Sequence, residues 1–134
     1  MDQEALVEEQ IIAGREFLEL FHQQHPVNAA VWMKPVDAQW YLYVASPDIT
    51  DETTRTIYGT VMQVEQSMTK PFDPFRVRLI KGDDPLVRQV ADLHRVYPRG
   101  VPSWHQPYLL GGRGIEGAYI YPPLQSVAIA VSKP

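Results

Sequence analysis

The chain contains no cysteine, which excludes a disulfide framework, a thiol nucleophile and any zinc or iron–sulfur site built on thiolates. No apolar run approaches the ~18–20 residues that span a bilayer as a helix. The N-terminus is acidic and has no apolar core of the signal-peptide kind. The resulting expectation is a cytoplasmic protein without membrane contact. A basic surplus is missing too. Twelve Lys and Arg stand against sixteen Asp and Glu, a net charge of −4, and this counts against nucleic-acid binding, which rests on neutralising phosphates.

What charge there is lies unevenly. Residues 1–69 hold 11 acids and 3 bases, whereas residues 70–113 hold 8 bases and 4 acids. Such asymmetry can mark an interaction face, although an acidic first helix and a basic third helix with solvated sides account for it equally. At 134 residues and 45% hydrophobic content the chain is long enough for one domain with a core of its own. Residues 1–121 are read as that domain and 122–134 as a tail. The twelve prolines cluster in connections and in the last third.

The spine of the domain is the stretch Val27–Pro47. Two apolar runs, Val27–Met33 and Trp40–Ala45, are rich in Val, Trp and Tyr and are bounded by Pro26, Pro35 and Pro47. They read as a β-hairpin whose strands are apolar on both faces, and such strands belong inside a sheet covered on each side. Trp32, Trp40, Leu42 and Val44 are the expected core. Before it, Asp2 to about Gln24 has the 3.6-residue period of a helix, with Val7, Ile11, Gly14, Leu18 and Phe21 on one stripe. After it, Ile57, Val61, Val64 and Met68 form the stripe of a second helix, capped by Asp48 or Thr50.

Phe75–Ile80 alternates as a strand, with Phe75, Val77 and Leu79 inward and Arg76 and Arg78 outward. Asp84 then makes a good N-cap with Pro85 at the favoured first helical position, so a third helix runs from Pro85 to about Val96 and buries Leu86, Val90, Leu93 and Tyr97. A long Pro-rich connection over 97–107 follows. Tyr108–Leu110 and Ala118–Tyr121 read as short strands joined by the glycine-rich segment 111–117. The fold class is therefore α/β (α+β), a mixed five-stranded sheet with three helices in the order α-β-β-α-β-α-β-β. Each long helical connection favours a parallel neighbour. Val127–Val131 is an expected further C-terminal strand. Its apolar composition would be an aggregation hazard if unpaired, which points to a homodimer formed by strand exchange.

The segments 8–19, 29–33, 40–47, 83–90 and 114–121 resemble a set of small bacterial proteins that carry no assigned function. The resemblance implies a bacterial cytosolic α/β domain and brings no activity, cofactor or site residue.

Candidate chemistry is sparse. The glycine loop 111–117 with Arg113 has backbone N–H groups of the kind that cradle phosphate, but it lacks a Lys-Ser/Thr ending and a strand follows, which fits a hairpin turn. Ser103, His105 and Asp92 make a poor triad. His22 with His25, or His94 with His105 and Glu116, have no spacing that demands a metal. Neither a catalytic residue nor a metal ligand nor a cofactor is assigned. Arg99, Trp104, His105, Tyr108, Arg113 and Glu116 remain as ligand- or partner-binding residues, Trp and Arg being the types that anchor interfaces. The favoured function is a non-enzymatic binding or accessory domain that meets a protein partner through the loops 98–117. The alternatives are a small enzyme or ligand-binding domain with a pocket at Arg99, His105, Arg113 and Glu116, and nucleic-acid binding by the face of Arg76, Arg78, Lys81, Arg88 and Arg95.

Overall fold

The structure of the protein, a computed structural model, describes residues 6–97 and 108–124 (backbone alone for Tyr108 and Leu109). Arg99, Trp104, His105, Ser103 and the tail strand Val127–Val131 lie outside the described residues. Three helices, α1 (Glu8–His22), α2 (Thr54–Ser67) and α3 (Pro85–Val96), accompany four strands of five residues or more: β1 (Ala29–Pro35), β2 (Tyr41–Ser46), β3 (Val77–Lys81) and β5 (Arg113–Ile120). A three-residue strand, β4 (Tyr108–Leu110), pairs with the start of β5. The order across the sheet is β3-β2-β1-β5-β4. It is a mixed α/β sheet: β2 and β3 are parallel, and the other pairs are antiparallel.

The hairpin β1–β2 is the centre of the fold. Its strands alternate between two cores because successive side chains point to opposite faces. Ala30, Trp32, Leu42 and Val44 join α1 and α2 on one face. Ala29, Val31, Met33 and Ala45 join α3, Leu110 and Ile115 on the other. Trp32, Trp40, Leu42 and Val44 are all buried. On α1 the buried stripe is Ala13, Gly14, Phe17, Leu18 and Phe21, so it runs through Phe17 rather than Val7, which stands at the N-cap and is exposed. Phe17 stacks between Phe21 and Phe72 at 5.5 and 4.8 Å.

The helix crossovers do not both produce parallel neighbours. α2 links the parallel pair β2–β3, but α3 carries the chain from β3 at one edge to β4 at the other. The reason lies in β1, which is buried along nearly its whole length and so is covered best with a strand on each side; β5 takes the second position. Phe75 also departs from expectation. Asp73 caps a 3-10 turn over Pro74–Arg76 by accepting from the Phe75 N–H, which delays β3 to Val77 and leaves Phe75 72% exposed. Tyr97, expected inside, is exposed at the C-cap of α3. The start of α3 falls where the sequence places it: Asp84 accepts from the Leu86 N–H at 3.0 Å and Pro85 opens the helix.

The outer edge of β3 is blunted. The Val77 N–H bonds Pro74 O, the Leu79 N–H donates to the Tyr58 hydroxyl at 3.0 Å, and Lys81 O accepts from the Asp84 N–H. Occupied edge groups remove part of the template on which another strand would pair.

Candidate functional site

The two faces of the sheet are covered unequally. Two helices close one face, and the other carries α3 alone among the described residues. On that second face, toward β3, the aliphatic side chains give way to Tyr and Arg. Tyr41 and Tyr43 are two apart on β2, which puts both rings on the same face. The parallel register sets Arg78 of β3 directly beside Tyr43. The Arg78 guanidinium lies 4.0 Å from the centroid of the Tyr41 ring, within the range of a cation–π contact. Both tyrosines are half-buried and Arg78 is exposed.

Arg113 approaches the same place from β5. Its guanidinium is 5.4 Å from the Tyr43 ring centroid, and it is held by the hairpin that precedes it. Leu110 pairs with Arg113 across a two-residue turn, Gly111-Gly112, with φ of 60° and 77°. Two positive φ values in succession are the requirement of the hairpin turn that matches strand twist, and glycine meets it without strain. A Cβ on Gly111 would also stand 2.8 Å from Leu86 Cβ. The turn thus rests on Leu86 in the first turn of α3, and Gln89 Oε1, in the next turn, accepts from the Gly111 N–H at 2.7 Å. Arg113 makes a two-pronged bond to Asp84, 3.1 and 2.9 Å, and donates to Gly111 O. The glycine segment is therefore a tight turn tied to α3, its residues 113–117 belong to β5, and the charge of Arg113 is already met.

Electrostatics follow this geometry. The hydrogen bonds from Arg113 hold the Asp84 carboxyl below the usual carboxylate range, and Asp84 in turn raises Arg113. Burial pushes the Tyr43 phenol up, while the Arg113 and Arg78 charges act against that rise. No family model, curated protein or solved structure matches the chain. The site is therefore read from its own atoms.

Of the residues singled out from sequence, the structure places Arg113 in this patch. Glu116 is elsewhere in its interactions: it pairs with the largely buried Lys34 at 2.7 Å, which lowers its pKa, next to an irregularity in the β1–β5 register at Lys34/Pro35. The backbone of Tyr108 sits in β4 opposite Ile115. Arg113 and Glu116 are thus committed to separate ion pairs. Three of the bases of 76–95 are already engaged. Arg76 donates to Trp40 O and lies near Asp73, Lys81 pairs with Asp51 at 2.9 Å, and Arg95 pairs with Asp92. His22 Nδ1 accepts from the Val27 N–H, His25 bonds Asp48, and His94 Nε2 bonds Tyr121 O. Among the described residues no three His, Asp or Glu gather as metal ligands.

A concavity lies at the carboxyl ends of β2 and β3. α2 and α3 leave these parallel strands toward opposite faces, which is the usual ligand position in open α/β sheets. Asn28, Ile49, Asp51, Lys81 and Asp83 line a cleft of about 470 Å³ there. Its floor is closed by close packing, since a Cβ on Gly82 would meet Pro47 backbone atoms at 2.8 Å. The Asp51 hydrogen bond raises the Lys81 pKa, so the ammonium is held in a local pair.

The residues missed in the sequence are Tyr41 and Tyr43. Each reads there as an ordinary strand residue of a two-faced apolar run. Only the β2–β3 register, set through α2, brings them beside Arg78.

Proposed function

We propose that the protein is a non-enzymatic binding domain that engages a protein partner through the sheet face of Tyr41, Tyr43, Arg78 and Arg113, the last of which lies in the 98–117 segment. The observation that carries this reading is the Arg78 guanidinium over the Tyr41 ring, on a face that the described helices cover only in part. Tyr and Arg anchor interfaces because each combines a large contact area with donors of fixed direction. Their presence where a second covering helix would require aliphatic side chains separates this face from the sealed one. A cytoplasmic location, and a homodimer through Val127–Val131, belong to the same proposal on sequence grounds.

The test compares capture from a lysate of the source cells by the full chain and by its Tyr41→Ala/Arg78→Gln variant. Arg78 is exposed and Tyr41 half-buried, so the double variant should melt a few degrees lower and still fold, which a thermal melt checks. The expected result is a protein retained by the wild-type chain and lost from the variant. An unchanged set of captured proteins would place the contact surface elsewhere.

A further inference from the structure

The patch contains two polar groups whose bonding is incomplete. Among the described residues no carboxylate reaches Arg78, in a chain where acids outnumber bases sixteen to twelve. The Tyr43 hydroxyl has no hydrogen-bond partner among the described residues either, although its ring is half-buried. The two residues are register partners on adjacent strands. We propose that they receive a carboxylate from an acidic peptide segment of the partner, with the Tyr41 and Tyr43 rings lying against its apolar atoms. This inference rests on the preceding reading of the face.

The chemistry of the groups sets the class. Contact with the Tyr41 ring through its π face holds the Arg78 guanidinium in place, and the planar fork of a guanidinium matches a carboxylate. Tyr43 adds an O–H donor beside it. Arg113 contributes shape rather than charge, because its charge is met by the two-pronged bond to Asp84. Of the two described cations in the patch, Arg78 alone has no carboxylate partner among the described residues, and one such cation is too few for a polyanion. Nucleic-acid binding draws on several phosphate contacts, and Arg76, Lys81 and Arg95 are engaged elsewhere. A free carboxylate is also insufficient, since a single exposed charge contact changes affinity by less than about tenfold. Apolar contact with the rings supplies the remainder, and a peptide offers both. The segment lies across the face, because the β3 edge has part of its hydrogen-bonding groups occupied.

The experiment titrates the full, isotope-labelled chain with a short blocked peptide of glutamate and leucine and follows backbone amide shifts. A lysine–leucine peptide, sodium acetate and a short single-stranded oligonucleotide are the other arms. The expected result is saturable shifts at Tyr41, Tyr43 and Arg78 with the glutamate peptide alone. Arg78→Gln should weaken them by about fivefold, the scale of one exposed charge contact. Shifts that are absent, lie elsewhere or persist unchanged in Arg78→Gln overturn the proposal. So does tighter binding of the oligonucleotide at the same amides, or saturation by acetate at the concentrations the peptide needs. If the glutamate peptide fails while lysate capture still depends on Tyr41 and Arg78, only the acidic class falls. If both fail, the binding face falls with it.

Discussion

Replacing Trp32 with Ala is expected to lower the unfolding free energy by about 3–5 kcal/mol, the range of a fully buried aromatic reduced to a methyl group. Trp32 is 2% exposed and stands in the middle of the central strand, paired with Leu42 on one side and Tyr119 on the other. Its indole N–H donates to the Tyr121 hydroxyl at 2.8 Å. Loss of the ring therefore opens a cavity between the sheet and α1 and removes a buried donor from Tyr121. Trp32→Phe separates the two effects: it keeps most of the volume and should cost about 1–3 kcal/mol for the unmet partner. A denaturant melt of each variant measures both. A loss below about 1 kcal/mol for Trp32→Ala would mean that the hairpin is peripheral to the core.

The second large effect is expected at Gly14, in the middle of α1. On propensity alone Gly14→Ala should stabilise the helix by about 1 kcal/mol. The opposite is expected, because a Cβ there would stand 2.3 Å from the Tyr121 hydroxyl oxygen and 3.0 Å from Trp32 Nε1. The Tyr121 hydroxyl accepts from Trp32 and donates to Ile11 O at 2.7 Å, and burial pushes its pKa up, so it stays a neutral donor. Moving it strains a packed ring and breaks both bonds. The sum is a net destabilisation of about 2–4 kcal/mol, from overpacking and unmet polar groups less the gain in propensity. Tyr121→Phe removes the clashing atom, so the double variant should be less destabilised than the two single variants added together. Strict additivity in the melts would show that Gly14 and Tyr121 do not meet.

These two sites show where local sequence carries information and where it does not. The hairpin core was legible because Val, Trp and Tyr crowd both faces of two short runs between prolines. The start of α3 was legible because Asp84-Pro85 combines a cap with a favoured first position. A glycine inside a helix, as at Gly14, signals a close approach of another backbone but not what approaches; here it is the side chain of Tyr121, which lies beyond every local period, with Ile11 and Tyr121 separated by 110 positions. Alternation places Phe75 inward, but the bond from its own N–H to Asp73 wins over the strand pattern. The candidate site was legible in part for the same reason. Arg113 stands out as a charge among glycines, but its engagement by Asp84 depends on the turn resting on α3. Tyr41, Tyr43 and Arg78 come together through strand pairing across a helical connection, and nothing in either strand announces it.

The claim that this sheet face is the contact surface is tested most directly by photo-crosslinking in the source cells. A photoreactive phenylalanine analogue at position 41 probes the face, and the same analogue at the exposed position Gln66 on α2 probes the opposite side. The expected result is one discrete crosslinked protein from position 41, absent from position 66 and diminished when Arg78→Gln is added. Equal crosslinking from both positions, or a discrete product from position 66 alone, would contradict it.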